Sequence, residues 1–187
     1  AGQYSGLQAR IKEKCGFAIF VPCAGHSLNL VGVHAAGCVL EATNFFGFVQ
    51  KIYNFFSFST HRWEIMKRCL GSNKVLKCLS DTRWSARADA VSALQKGYKQ
   101  ILEALIIIAQ DMNQPGETRY EAHSLSKKMS KLEIVILTEM WSSILSRINK
   151  ISIALQKKTL TMDIATKLLT SLVNFLGNVR NEFDQYE

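Results

Sequence analysis

The spacing of apolar residues is the feature that most constrains how this chain can fold. After residue 27, apolar side chains recur every three or four positions, as at Phe45, Val49, Ile52 and Phe56. This spacing places them on one face of a helix. Only two prolines occur in 187 residues, so little interrupts the pattern. The sequence therefore predicts a mainly α protein whose helices pack through apolar stripes.

Composition narrows the class of protein further. Apolar residues make up 48% of the chain, which is enough for one sizeable core. The apolar runs are too short to span a membrane and the start lacks a signal peptide, so we expect a soluble intracellular protein without a membrane partner. Five cysteines without a paired spacing fit a reducing compartment. The net charge of +8 favours a polyanionic partner.

One short segment departs from the helical pattern. Residues 17–21 are continuously apolar, which is typical of a strand covered on both faces, and Pro22 cannot donate to a β-ladder. A short amphipathic helix precedes this run, and Cys23 and His26 follow it. The sequence predicts a small α/β edge over residues 1–30 and an antiparallel helical region over residues 31–187.

The helical region divides at polar and glycine-containing segments. We expect one helix over residues 27–58, with a bend or tight packing near Gly32, Gly37 and Gly47. Residues 75–79 are expected to be extended, and Asp81 to cap the next helix. A last helix is expected after the polar turn at 157–161, with its core stripe formed by Ile164, Leu168, Leu172, Phe175, Val179 and Phe183.

Three motifs carry a family resemblance. The first is Cys-x-x-His-Ser-Leu-Asn-Leu at residues 23–30, the second is Asp-Thr-Arg-Trp at 81–84, and the third runs from 147 to 156. In this order they resemble the transposase core of the hAT superfamily. The likeness is strongest to host and mobile-element proteins with a transposase-like domain, as in MYM-type zinc-finger proteins. It extends along nearly the whole chain.

The resemblance implies an RNase H-like fold with a helical insertion domain. Such enzymes hold two divalent ions, Mg or Mn, with three carboxylates whose matching positions would lie outside this sequence. Asp89, Glu103 and Asp111 do not stand in a matching context, and Asp81 is better explained as a helix cap. We therefore expect no catalytic residue and no cofactor here, and no activity from this segment alone.

The tryptophan of the second motif permits two interpretations. Trp84 can be the first core residue of its helix, or it can stack on an unpaired base while Arg83 contacts phosphate. The resemblance implies the second role, because the family's tryptophan holds a flipped base. Basic residues near this motif form either a solvated surface or a face that follows phosphates. The predicted nucleic-acid-binding residues are Lys74, Lys77, Arg83, Trp84 and Arg87; Lys67 and Arg68 lie beside them, and Lys127, Lys128 and Lys131 form a second cluster.

The first motif also has two interpretations. Cys23 and His26, with His34 and Cys38 one helical turn apart, could ligate zinc, but their spacing matches no common zinc finger. Packing of Cys23 and His26 within the fold is the favoured interpretation. The resemblance implies the same, with Asn29 as a further structural residue of the motif.

Three functions follow as expectations. The first is a transposase-derived, nucleic-acid-associated domain, from a mobile element or domesticated, that binds DNA in the nucleus. The second is a non-catalytic protein-interaction scaffold of a transcriptional regulator. The third is a transposase or nuclease that needs flanking regions for activity. We expect this piece to be a monomer with exposed apolar surface, and homo-oligomers to form through regions outside it.

Overall fold

A computed structural model describes residues 6–21, 23–80 and 84–181 of this chain. Helices account for most of these residues, and none of the described residues lies in a strand. The mainly α prediction is confirmed. The helices found there are α1 (Leu7–Lys14), α2 (Ala24–Gly37), α3 (Leu40–Ser57), α4 (Thr60–Leu70), α5 (Trp84–Lys96), α6 (Tyr98–Gln110), α7 (Gly116–Met129), α8 (Leu132–Leu155) and α9 (Met162–Asn181).

Residues 17–21 do not form the predicted strand. Their backbone is irregular, and the Phe17 and Val21 side chains are 97% and 77% exposed. A strand needs a neighbouring strand for its backbone hydrogen bonds, and the described residues supply none. The apolar run is therefore present, but the covered sheet edge predicted from it is not seen.

The predicted helix over residues 27–58 is two helices. The chain turns by 103° between α2 and α3. Cys38 closes α2 by donating its backbone N–H to the His34 carbonyl, and Val39 has extended backbone angles that start α3 in a new direction. The bend expected near Gly37 is thus found. It lets α3 direct its phenylalanine side chains into the core.

The main core lies between α3, α4, α5, α6, α7 and the first half of α8. α8 runs along α5, while α6 lies between α4 and α7. Burying one large apolar side chain contributes about 1.5–3 kcal/mol, so this cluster supplies most of the stabilisation. Its largest fully buried members include Phe45, Phe55, Phe56, Ile52, Met66, Leu94, Ile101, Leu105, Ile108, Met129 and Leu145.

A second, smaller apolar cluster joins the end of α8 to α9. It contains Ile148, Ile151, Leu155 and Leu172. The Thr161 hydroxyl accepts the Ile164 N–H at 3.4 Å, as an N-cap side chain does. The predicted stripe of α9 is partly confirmed, because Leu172 is buried and Leu168 and Phe175 pack against this cluster, whereas Ile164 is exposed. Phe183 lies outside the described residues.

Residues 74–80, before α5, lie in neither a helix nor a strand, so the strand or extended segment predicted at 75–79 is non-helical but forms no strand. Gly71 ends α4 with a φ of 56°, which glycine adopts without strain. Leu76 is buried, and the Leu79 N–H donates to the Gln50 side chain at 2.9 Å. These two contacts fix the segment that carries Lys74 and Lys77. The predicted cap at Asp81 lies outside the described residues.

Candidate nucleic-acid interface

Asn29 of α2 and Trp84 of α5 join two of the sequence motifs. The Trp84 indole Nε1 donates to the Asn29 backbone carbonyl at 2.8 Å. The Asn29 side-chain oxygen accepts the Trp84 backbone N–H at 3.4 Å. That N–H is one of the first-turn donors of α5 that no intrahelical carbonyl can accept, so Asn29 acts on α5 much as a capping side chain does.

Gly32 makes this close approach possible. It lies one helical turn after Asn29, and a Cβ atom added there would overlap the Trp84 indole. Only a residue without a side chain leaves space for the ring. The tight packing predicted near Gly32 is confirmed, and its cause is the tryptophan.

The Trp84 ring lies in the core. It is 2% exposed, and it stacks on Trp141 with the ring centroids 6.3 Å apart and an interplanar angle of 26°. Phe46 meets it edge-on at 6.5 Å. A base could stack on Trp84 only after the ring had left these neighbours, so the burial favours the core interpretation over base stacking.

Arg87 lies one helical turn after Trp84 and covers the same aromatic group. Its guanidinium carbon is 4.8 Å from the Phe46 ring centroid and 5.5 Å from that of Trp84. Such cation–π contacts contribute about 0.5–2 kcal/mol. Arg87 also lines a cleft of about 600 Å³ between α2, α3 and the 71–80 segment, where Cys78 and Gln50 face it. It is a half-buried cation at the rim of the core.

The two predicted lysines lie on the surface of the 71–80 segment. Lys74 is exposed. Lys77 pairs with Asp89 of α5 at 2.6 Å, with both side chains about half exposed. A surface pair of this kind contributes about 0–1 kcal/mol and leaves the lysine accessible to solvent. Arg83, which the sequence places between these lysines and Arg87, lies outside the described residues.

Cys23 and His26 begin α2. Cys23 is the N-cap residue, and its carbonyl accepts the Ser27 N–H at 3.0 Å. Both side chains are exposed, as are His34 and Cys38 at the other end of the helix. Over residues 6–21, 23–80 and 84–181, three or more metal-ligating side chains do not come together. The packing expected for the Cys23 and His26 side chains is therefore not seen, since both face solvent.

Two of the carboxylates considered from the sequence have local partners. Asp89 pairs with Lys77. Asp111 accepts the Gln114 side chain and the Asn113 backbone N–H, both at 3.0 Å. These hydrogen bonds, the Gln114 contact first, lower the pKa of the Asp111 carboxyl below its usual value. Asp111 thus stabilises the loop that precedes α7.

A second basic region was only partly recognised from the sequence. Lys127 lines a groove of about 870 Å³ between α6 and α7, together with Arg119, Tyr120 and His123. Lys128 instead lies over the Phe48 ring, 4.8 Å from its centroid. The signal for this groove was the helical spacing of 119, 120, 123 and 127, which places one aromatic and three basic or imidazole side chains on one face.

Among the described residues, no single helix has the length and apolarity to cross a membrane. Helices α2 and α3, taken together as a bent pair, have the length and composition that a membrane span needs. Searches of protein-family models, curated proteins and solved structures returned no match to this chain.

Proposed function

We propose that this chain is a nucleic-acid-associated domain derived from a transposase of the hAT kind. The observation that supports the proposal best is the pair of hydrogen bonds between Asn29 and Trp84. Residues of two motifs, far apart in sequence, meet at one junction, as expected if both motifs belong to one structural unit of that family.

In this proposal, contact with DNA is made around the junction and not by Trp84 itself. Lys74 and Lys77 are accessible on the 71–80 segment, and Arg83 follows in sequence. Arg87 holds the aromatic group that supports this face. The lysines would bind phosphates without reading sequence, so affinity should fall as salt rises.

The finer fold assignment belongs to the same proposal. Residues 17–21 are apolar, non-helical and exposed, which suits a strand that pairs with a sheet from outside the described residues. The RNase H-like sheet would supply those strands. Slow amide exchange at 17–21 in a longer form of the protein would support this assignment, and fast exchange there would contradict it.

Catalysis is not assigned to the described residues of this chain. An active member of the family would bind Mg or Mn through three carboxylates, and Asp89 and Asp111 have the local partners given above. The proposed protein acts on DNA in the nucleus, and no role in strand cleavage is assigned to its described residues.

A non-catalytic protein-interaction scaffold is the second candidate function. The observation in its favour is that large apolar side chains from the end of α1 to the start of α3 are exposed to solvent. They include Phe17, Ile19, Val21, Val31 and Leu40. Several large, exposed apolar side chains within one short part of the sequence are typical of a region that binds another protein. The expected exposure of apolar surface in this part of the chain is thus found.

Binding to a hairpin-ended DNA duplex at two salt concentrations tests the proposal. We expect salt-dependent binding that the double variant Lys74→Gln, Lys77→Gln weakens. Lys157→Gln, Lys158→Gln is the matched control, because it removes the same charge from another exposed segment. Equal loss in both variants would indicate unspecific charge attraction. Absence of binding at low salt would favour the scaffold.

A further inference from the structure

The groove between α6 and α7 has the size and lining of a binding site. Its volume of about 870 Å³ lies within the range of roughly 300–1,000 Å³ that ligand clefts occupy. α7 contributes Arg119, Tyr120, His123 and Lys127 to one wall, and Ile106 of α6 lies on the other. The groove therefore combines cations with apolar and aromatic surface.

The charge along the groove is positive. Glu117 and Glu121 also belong to α7, but neither lines the groove, and within the described residues its lining includes no carboxylate. Arg119 and Lys127 lie eight positions apart, or about 12 Å along the helix. This separation is about two nucleotide steps of a stretched single strand, so the two cations can contact phosphates that flank a stretch of two nucleotides.

The side chains differ in how firmly they are held. Arg119 donates its Nε–H to the Ala109 carbonyl at 3.5 Å, which ties the guanidinium to the end of α6. This bond uses one of its five N–H donors. Tyr120, beside it, is 76% exposed, and Ile106 opposite is 42% exposed. An open ring next to an anchored guanidinium offers a stacking surface beside a phosphate contact.

We propose that this groove binds single-stranded nucleic acid. Arg119 and Lys127 bind backbone phosphates, while a base stacks on Tyr120 and packs against Ile106. A duplex fits less well, because its bases are already stacked on one another and cannot reach the ring. The side chains differ from those of the proposed DNA face at Lys74 and Lys77, so the two proposals can fail separately.

Fluorescence anisotropy with a labelled 12-nucleotide oligothymidine tests the groove. Arg119→Gln or Lys127→Gln should each lower the slope of log affinity against log salt by about 0.7, the value for one lost phosphate contact on a single strand. Tyr120→Ala should weaken binding about fivefold or more, and Tyr120→Phe should retain it. Circular dichroism checks that each variant is folded.

Two controls identify the site and the ligand. Lys150→Gln, an exposed lysine of α8, should leave oligothymidine binding unchanged. Heparin, a polyanion without bases, should bind Tyr120→Ala as well as it binds the unaltered protein. The proposal is wrong if Tyr120→Ala binds oligothymidine normally, or if Lys74→Gln, Lys77→Gln abolishes binding while the groove variants retain it.

Discussion

Gly32 lies in the middle of α2, directly beside the Trp84 indole. Alanine there would favour the helix by about 1 kcal/mol, but its Cβ would overlap the ring, and overpacking of this kind costs about 1–3 kcal/mol. We therefore expect Gly32→Ala to lower the free energy of unfolding, as measured by urea denaturation.

The control for this substitution is Gly47→Ala in α3. A Cβ at Gly47 meets nothing within 4 Å, so the helix preference of alanine should raise the free energy of unfolding by up to about 1 kcal/mol. If both substitutions stabilise the protein, the Trp84 indole does not pack against Gly32 as closely as described here.

The indole hydrogen bond can be tested at the same junction. Trp84→Phe removes the Nε1–H donor and leaves the Asn29 carbonyl without its partner. Losing that bond and part of the ring should lower the free energy of unfolding by about 1–3 kcal/mol. Trp63→Phe is the comparison, because Trp63 is only partly buried. If this substitution lowers the free energy of unfolding as much as Trp84→Phe does, the indole hydrogen bond of Trp84 contributes little to stability.

Single residues also show which contacts and roles cannot be predicted from the sequence alone. It identifies Asn29 and Trp84 as motif residues, but their contact depends on two helices that are distant in the chain. A tryptophan beside an arginine suits a core and a base-binding surface equally well, since the same ring stacks in both. Only the positions of Phe46 and Trp141 decide between them.

At the scale of helices, Tyr98 at the start of α6 forms a hydrogen bond to the end of α7. Its hydroxyl donates to the Met129 carbonyl at 2.6 Å, and burial raises the pKa of Tyr98 to about 12. In the unfolded chain this pKa is about 10. The folded state thus holds the proton more tightly, so the stability that Tyr98 contributes is complete below pH 10 and is lost as the pH rises through about 12.

Tyr98→Phe removes both the hydrogen bond to Met129 and the ionisable hydroxyl group. At neutral pH we expect it to be less stable by about 0.5–1.5 kcal/mol. Between pH 10 and 12 the unaltered protein should lose this advantage, as measured by urea denaturation of both proteins across that range. A difference that stays constant with pH would show that the pKa of Tyr98 is the same in the folded and unfolded states, so that burial does not raise it.

Elements were predictable where their signals are local. Helix α4 follows from Ser59, whose hydroxyl accepts the Arg62 N–H, and from Gly71 at its end. The break after Gly37 could be anticipated only as a bend, because Cys38 and Val39 do not themselves stop a helix. The strand predicted at 17–21 is not formed among the described residues for a similar reason, since an apolar run indicates a preference for burial but does not supply the strand it must pair with.

Across the whole molecule, stability is unevenly distributed. α6 buries Ile101, Ala104, Leu105 and Ile108, whereas α9, although longer, buries Leu172 among its described residues. Helices with few buried contacts open at lower free energy than the core. In hydrogen exchange at neutral pH, we expect α9 amides to exchange much faster than those of α6. Equal protection in both helices would contradict this uneven core.

The Asn29–Trp84 junction also bears on how the chain folds. Its hydrogen bonds connect positions 55 residues apart, whereas α6 and α7 follow one another directly. Closing a long loop loses more chain entropy than closing a short one, and distant contacts slow folding. The α6–α7 pair should therefore form early and the junction late, so that Asn29 and Trp84 would lie on separate, unpacked helices until the last steps of folding.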